Sequence, residues 1–306
     1  MVRTFAHGDF DPDELRDRKA ATGITTSLVL PARNEEKTVA AVIEAFLPLR
    51  GNLVDEIVVV DSLSTDGTAA VAADAGATVV ALDAVAPEVP PVRGKGEAMW
   101  RALLATSGDL VVFCDADVLD PAPHYVVGLL GPLLLDAGIH LVKGFYRRPL
   151  VAADGKVTEY GGRVTELVAR PLLSLYRPDL AKLVQPLAGE WGGRRELLES
   201  LRFPTGYGVE IAVLLDTHAA LGSAGMAQVD LGTRTHSSQS WQALGVMAAE
   251  VMGSALRRLG IEPTGDVMRQ YGLEDHGELS TPIGLVERPP VASLQRGSRR
   301  SDIGSS

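Results

Sequence analysis

The chain has 306 residues, of which 46% are hydrophobic and only 5% aromatic, with a formal net charge of −10. That length and apolar content support one large α/β domain, or two halves sharing one sheet, and exclude global disorder. The acidic balance, 39 acidic against 29 basic residues with no basic stripe, argues against a nucleic-acid partner.

Residues 1–23 are polar, lack the apolar segment of a signal peptide, and read as an N-terminal tail. Residues 24–30 (ITTSLVL) are β-rich and stop at Pro31, which predicts a first strand. Val39, Val42, Ile43 and Phe46 fall on one helical face, which predicts a helix over 35–49 with Asn34 as its N-cap. Residues 56–60 (EIVVV) form an apolar run ending in Asp61, as expected of a strand buried on both faces of a parallel sheet. A turn at 64–68 leads to a helix over 69–75 closed by Gly76, and then to a strand at 78–82. A Pro- and Gly-rich loop precedes a helix over 95–106, ended by Gly108. The strand at 110–114 runs directly into Asp115-Ala116-Asp117. It contains Cys114, the one cysteine, which excludes an internal disulfide, fits a reducing cytoplasm and reads as a buried structural thiol.

This alternation is the pattern of a doubly wound α/β sheet. Such sheets bind ligands beyond the carboxyl ends of their strands, where Pro31, Asp61 and Asp115 stand. The most apolar stretch, 125–142, is interrupted by Gly128, Gly131, Pro132, Asp136 and Gly138. It falls short of the roughly 18 unbroken apolar residues of a membrane span, so no integral membrane association is expected. Beyond it the reading is a strand at 141–146, a turn at 154–155, and a helix over 163–175 with Pro171 inside. Loops follow at 187–193 and 203–208, with a helix over 210–221, a strand at 227–232 and a helix over 240–259. The expected organisation is a nucleotide-binding half over 24–139, an acceptor-binding half over 140–289, and a disordered tail over 290–306.

Four motifs carry chemistry. Asp115-Ala116-Asp117 after a buried strand suits a hard divalent cation, Mg²⁺ or Mn²⁺, that also holds a diphosphate, although three residues alone also describe a solvated turn. Pro31-Ala32-Arg33-Asn34-Glu35-Glu36 puts carboxylates where a uracil or ribose could bond, or simply where a helix start favours Glu. Residues 61–68 (DSLSTDGT) add a carboxylate and hydroxyls, or a capped turn. In Arg93-Gly94-Lys95-Gly96 a lysine between glycines can approach a phosphate, but the context and spacing of a P-loop are missing, which excludes an ATPase.

In order, LVLPARNEE, VVVDSLSTDGT, RGKGEA and VVFCDAD resemble the nucleotide half of GT-A glycosyltransferases. LVKGFYRRPL, GGRVTELVARPLL, QPLAGE, FPTGYGVEI and QVDLGTRTH narrow the resemblance to the actinobacterial glucosyl-3-phosphoglycerate synthases, with mannosyl-3-phosphoglycerate synthases closely similar. It spans roughly residues 24–290. It implies a GT-A fold and transfer of glucose from UDP-glucose to 3-phosphoglycerate, with retention at the anomeric carbon, by a homodimer. It also implies roles for residues here. Pro31, Ala32 and Glu35 match uridine contacts, Ser62 a further nucleotide contact, Lys95 a uridine or phosphate contact, and Asp115 a ribose contact. Asp117 and His236 match metal ligands. Gly162, Arg163 and Thr165 match the acceptor phosphate site, and Tyr207 and Glu210 the acceptor pocket or sugar. The chain departs at Ala116, where the family commonly has Ser, and at Ser238 near the acceptor, where it has Asn.

The physical reading agrees at Gly161-Gly162-Arg163, where free backbone donors and a guanidinium precede a helix. His236 is a candidate only through the resemblance. The expected chemistry is a front-face transfer with Asp117, His236 and Lys95 at the diphosphate. The rival is double displacement with Glu210 as nucleophile. Other readings are GDP-mannose as donor, a polyprenyl phosphate as acceptor, a sugar nucleotidyltransferase, or a protein that binds a sugar nucleotide without turnover. The nucleotidyltransferase reading is disfavoured because PARNEE replaces a Gly-rich loop after the first strand.

Overall fold

The centre of the molecule follows from three short apolar runs with strict alternation. Leu28 and Leu30, Ile57 and Val59, and Leu110 and Val112 face one packed layer, while Val29, Val58, Val60, Val111 and Phe113 face the other. A strand's period of two sends neighbouring residues to opposite faces, so runs apolar throughout must be covered on both. The computed structural model describes residues 1–147, 149–151, 157–159, 162–234, 240–272 and 277–294.

In chain order the elements begin β1 (Arg3–Ala6), α1 (Pro12–Thr22), β2 (Thr26–Ala32), α2 (Val39–Phe46), β3 (Glu56–Asp61), α3 (Thr68–Asp74) and β4 (Thr78–Ala81). Then come α4 (Lys95–Ala105), β5 (Leu110–Phe113), α5 (His124–Leu135), β6 (Leu141–Arg147), β7 (Pro149–Val151), β8 (Val157–Glu159), α6 (Arg170–Tyr176), β9 (Trp191–Arg194) and α7 (Arg195–Ser200). The chain continues with β10 (Phe203–Pro204), α8 (Val209–Leu221), β11 (Met226–Thr233), α9 (Trp241–Arg258), β12 (Val267–Tyr271), β13 (Glu278–Pro282) and β14 (Glu287–Arg288). Eight strands form one sheet in the order β1-β11-β6-β9-β5-β2-β3-β4. Every pairing is parallel except those of β9, which runs antiparallel between β5 and β6.

The alternation expected through residue 117 is present, with differences that have local causes. β2 runs on through Pro31 to Ala32. The second helix starts late, at Val39, because Asn34 does not cap it. Asn34 sits at φ 56°, a left-handed conformation that Asn tolerates, and its side chain accepts from the Thr65 N–H at 2.9 Å. The loop expected at 187–193 contains the start of β9. A Trp-Gly-Gly-Arg sequence lacks the signature of a strand, but a Cβ on Gly192 or Gly193 would crowd Val112, Leu198 and the His140 carbonyl. The helix expected over 163–175 opens as a π turn at Thr165–Ala169, and Pro171 falls in the first turn of the α segment.

Residues 1–23 are not a tail. β1 adds to the sheet edge beside β11, and α1 carries an Asp11 cap accepting from Asp13 N–H at 2.9 Å, Pro12 at its start and Gly23 at φ 67° at its end. The buried apolar residues here, Val2, Phe10 and Leu15, are too few and too widely spaced for a periodic signal. Phe10 lies flat against Gly131 of α5, where any Cβ would strike its ring. At the other terminus Trp100 Nε1 donates to the Pro289 carbonyl at 2.8 Å and Val291 is buried, so the expected tail begins later than 290. Residues 295–306 lie outside the described residues. Leu15→Ala is expected to cost about 2–5 kcal/mol in chemical denaturation, as for a core leucine. A change under about 0.5 kcal/mol, the surface value, would restore the tail reading.

Candidate functional site

The parallel strands β2, β3 and β5 end at one edge of the sheet, and the loops leaving them are laced together. Ser62 N–H donates to the Ala32 carbonyl at 2.8 Å, Asn34 N–H to Ser64 Oγ at 3.0 Å, and Glu35 N–H to Thr68 Oγ1 at 2.8 Å. Above this edge opens a cleft of about 680 Å³. Among the expected residues, Pro31, Ala32, Glu35, Ser62, Lys95, Asp115, Ala116, Asp117, Gly162, Arg163, Thr165, Tyr207 and Glu210 all line it. His236 and Ser238 lie outside the described residues.

An ion-pair network forms the floor. Lys95 Nζ bonds Asp115 at 2.6 Å and Glu210 at 2.8 Å. From the other side Arg234 reaches Glu190 at 2.5 Å, Asp117 at 3.1 Å and Asp115 at 3.4 Å, and donates to the Tyr146 hydroxyl at 2.7 Å. Burial opposes the charge on Asp115, but Lys95 and Arg234 outweigh it and hold the carboxyl well below the usual range. Burial likewise opposes the ammonium of Lys95, yet Asp115 and Glu210 hold its pKa well above that of a free lysine. Asp117 is pushed up by its own burial and then by the Asp115 charge, with Arg234 offsetting only part. Glu35 is raised by burial and then by Asp117.

The glycines around Lys95 serve packing. Gly94 sits at φ 154° and a Cβ there would strike the Thr205 carbonyl, while one on Gly96 would strike that of Pro204. The first turn of α4 lies against the 204–206 backbone, with Glu97 N–H donating to the Thr205 carbonyl at 3.0 Å. The glycines bring Lys95 to the cleft through that contact. Gly189 has a comparable purpose, since a Cβ there would collide with the Asp115 carboxylate.

The acceptor-side residues converge from three elements. Gly162 and Arg163 precede the π turn, Thr165 is buried within it, and the Arg163 guanidinium lies 5.1 Å from the centre of the Trp241 ring at the start of α9. Tyr207 precedes α8, and its N–H donates to Glu250 of α9 at 2.6 Å. The other oxygen of Glu250 accepts from Gly284 N–H at 2.9 Å, so one buried carboxylate ties the Tyr207 loop, α9 and the segment after β13 together.

Arg234, Glu190, Tyr146 and Glu250 are the site residues that sequence reasoning missed. Arg234 and Glu190 stand inside the quoted runs QVDLGTRTH and QPLAGE, so a signal was present. Their pairing joins positions 44 residues apart, which spacing does not reveal.

The donor set fits a divalent cation. Asp115 and Asp117 offer hard carboxylate oxygens at the cleft edge, and the missing Cβ of Gly189 leaves Asp115 its room. Among the described residues no group of three His, Cys, Asp or Glu is gathered to hold a metal, and the expected second ligand, His236, is not among them. Cys114 is buried, and burial pushes its thiol up, as befits a structural residue.

Lys143 of β6 is buried beneath the cleft and donates to the Ala188 carbonyl at 2.7 Å; burial pulls its pKa down to about 8. Its folded pKa lies below its unfolded value of about 10.4, so the unfolded chain binds more protons between them and stability should rise with pH in that window. Relative to Lys143→Met, the wild type is expected to gain on the order of 3 kcal/mol between pH 7 and pH 10.5. A flat difference in urea melts would show an ordinary lysine.

Residues 27–133 match the family described as Glycosyl transferase family 2. The chain is 54% identical to glucosyl-3-phosphoglycerate synthase of Mycolicibacterium smegmatis, over 79% of this chain and 80% of that one. It is 49% identical to the enzyme of that name from Mycobacterium tuberculosis, over 90% and 88%. A crystal structure of the Mycobacterium tuberculosis enzyme with Mn²⁺, UDP and glucosyl-3-phosphoglycerate superposes with TM-score 0.88 at 47% identity, covering 96% of this chain and 100% of that one. Another, with Mn²⁺, UDP-glucose and phosphoglyceric acid, gives 0.87 at 46% identity over 96% and 99%. On the α/β GT-A fold, the ordered strand-end motifs and these identities, the chain belongs to the glucosyl-3-phosphoglycerate synthase family.

Proposed function

We propose that this cleft transfers glucose from UDP-glucose to 3-phosphoglycerate, with retention at the anomeric carbon, and yields glucosyl-3-phosphoglycerate. The observation that carries this reading is the floor itself. Asp115 is bracketed by Lys95 and Arg234, with Asp117 beside it at the mouth, and the loops bearing Pro31, Ala32, Glu35 and Ser62 stand alongside. The Mycobacterium tuberculosis relative, crystallised with UDP-glucose and phosphoglyceric acid and with the glucosylated product, supports the same substrates.

In this reading Pro31, Ala32, Glu35 and Ser62 hold the uridine, with Asp115 at the ribose. Asp117 and His236 hold Mg²⁺ or Mn²⁺, which supplies charge neutralisation to the departing diphosphate. Lys95 stays protonated and adds a cation at the same place. Gly162, Arg163 and Thr165 hold the acceptor phosphate, with Arg163 steadied against Trp241. Tyr207 and Ser238 bound the acceptor pocket. The acceptor hydroxyl passes its proton to the leaving phosphate oxygen on the face where the sugar bond opens. A nucleophilic Glu210 is less favoured, because its carboxylate is already bound to Lys95 at 2.8 Å and is buried. We further propose a cytoplasmic homodimer. The dimer reading is supported by exposed apolar side chains at Met252, Ile261, Tyr271 and Leu279 around the end of α9 and the β12–β13 hairpin. Among the described residues no helix is long and apolar enough to cross a membrane.

The test is UDP release from UDP-glucose with and without 3-phosphoglycerate, with the product anomer read by NMR. Release that needs 3-phosphoglycerate and a divalent ion, stops with EDTA and gives an α-linked product is expected. GDP-mannose as the better donor would overturn the donor assignment. Glu210→Gln is expected to keep kcat within about tenfold, roughly 1.4 kcal/mol, whereas a trapped glucosyl-enzyme on Glu210 in mass spectra would establish double displacement. Sedimentation should give twice the chain mass, and a monomer at micromolar concentration would remove the dimer.

A further inference from the structure

We infer that Arg234 is a resident counter-cation of the metal-free site, which releases Asp117 when a divalent ion arrives by turning onto Glu190. The inference rests on the reading of Asp117 as a metal carboxylate. Around the floor, three cations, Lys95, Arg234 and the deeper Lys143, face four carboxylates: Asp115, Asp117, Glu190 and Glu210. The site therefore carries a surplus of negative charge that a divalent ion can neutralise, and the guanidinium meanwhile engages Oδ1 of Asp117.

The two ends of the Arg234 contact differ in strength. Its bonds to Asp115 and Asp117 are long, at 3.4 and 3.1 Å, and the Asp117 side chain is 43% exposed. Its bond to Glu190 is 2.5 Å, between side chains that are 3% and 0% exposed. An ion pair at the solvent edge is cheaply exchanged, whereas a buried one is costly to break.

The buried end is also incompletely used. Among the described residues, Arg234 Nε and Glu190 Oε2 are buried atoms without a hydrogen-bond partner. Planar guanidinium and carboxylate groups pair best through two parallel bonds. A rotation that sets both nitrogens of one guanidinium edge on both oxygens of Glu190 satisfies the two orphaned atoms and withdraws Arg234 from Asp117. Nothing else among the observed contacts explains why so buried a pair leaves one atom idle on each side.

Manganese binding to the full-length protein, without nucleotide and followed by EPR of free Mn²⁺, tests this independently of turnover. Arg234→Gln is expected to bind Mn²⁺ at least about tenfold tighter than wild type, since a unit charge within a few ångströms of the ion is removed. Should that variant fail to fold, Arg234→Gln/Glu190→Gln replaces the ion pair by two amides that can bond each other, and it should be tightened relative to Glu190→Gln alone. Unchanged or weaker binding on removing Arg234, while Asp117→Asn abolishes Mn²⁺ binding, would overturn the inference and leave the metal reading intact. If Asp117→Asn bound Mn²⁺ as the wild type does, the metal assignment would fall and the inference with it.

Discussion

Asp115 is a half-buried carboxylate held between two cations that come from opposite parts of the chain. Lys95 projects from the first turn of α4, and Arg234 follows the last residue of β11. Each cation is shared with a second carboxylate, Glu210 of α8 for Lys95 and Glu190 for Arg234. The Asp115 side chain keeps one quarter of its surface open to the cleft, and its charge is held by this pairing, closely to Lys95 at 2.6 Å and more loosely to Arg234 at 3.4 Å. The two halves of the protein are thereby joined at the place where donor and acceptor must meet.

The topology makes this meeting possible. Parallel strands deliver their ends to one edge, so β2, β3, β5, β6 and β11 bring Ala32, Ser62, Asp115, Tyr146 and Arg234 together. Glu190 has to arrive differently, because it precedes its strand. The reversed direction of β9 solves this: its beginning lies beside the end of β5 and the middle of β6. The one antiparallel insertion in an otherwise parallel sheet is what supplies the carboxylate beneath Arg234. On the opposite wall Glu250 performs a similar task, fixing the Tyr207 loop to α9, whose first residue, Trp241, stacks on Arg163.

The first half of the fold was legible because its strands are buried on both faces and announce themselves as apolar runs. Pro31, Asp61 and Asp115 were marked by their place at strand ends, whereas Ala32, Glu35 and Ser62 took their nucleotide roles from the resemblance, and Asp61 does not line the cleft. β9 was not legible, since glycines chosen for close packing look like loop. The N-terminal segment was not legible either, because its few buried residues, Val2, Phe10, Leu15 and Lys19, form no apolar periodicity. In the site, the acids and Lys95 stood out as motifs. Arg234, Glu190 and Glu250 did not, because each acts through a partner tens of residues away. Even where Lys95 was identified, the packing purpose of its flanking glycines, which make room for the 204–206 backbone, was not legible.

Asp115→Asn tests the central claim, that one carboxylate organises both substrate sites. Calorimetric titration of the variant with UDP plus Mn²⁺, and separately with 3-phosphoglycerate, is the measurement to make. If Asp115 is the joint, both affinities fall together, since Lys95 is left to Glu210 alone and Arg234 to Glu190 and Asp117. If UDP binding falls while 3-phosphoglycerate binds as tightly as before, Asp115 is only a nucleotide contact and the linkage between the halves is elsewhere.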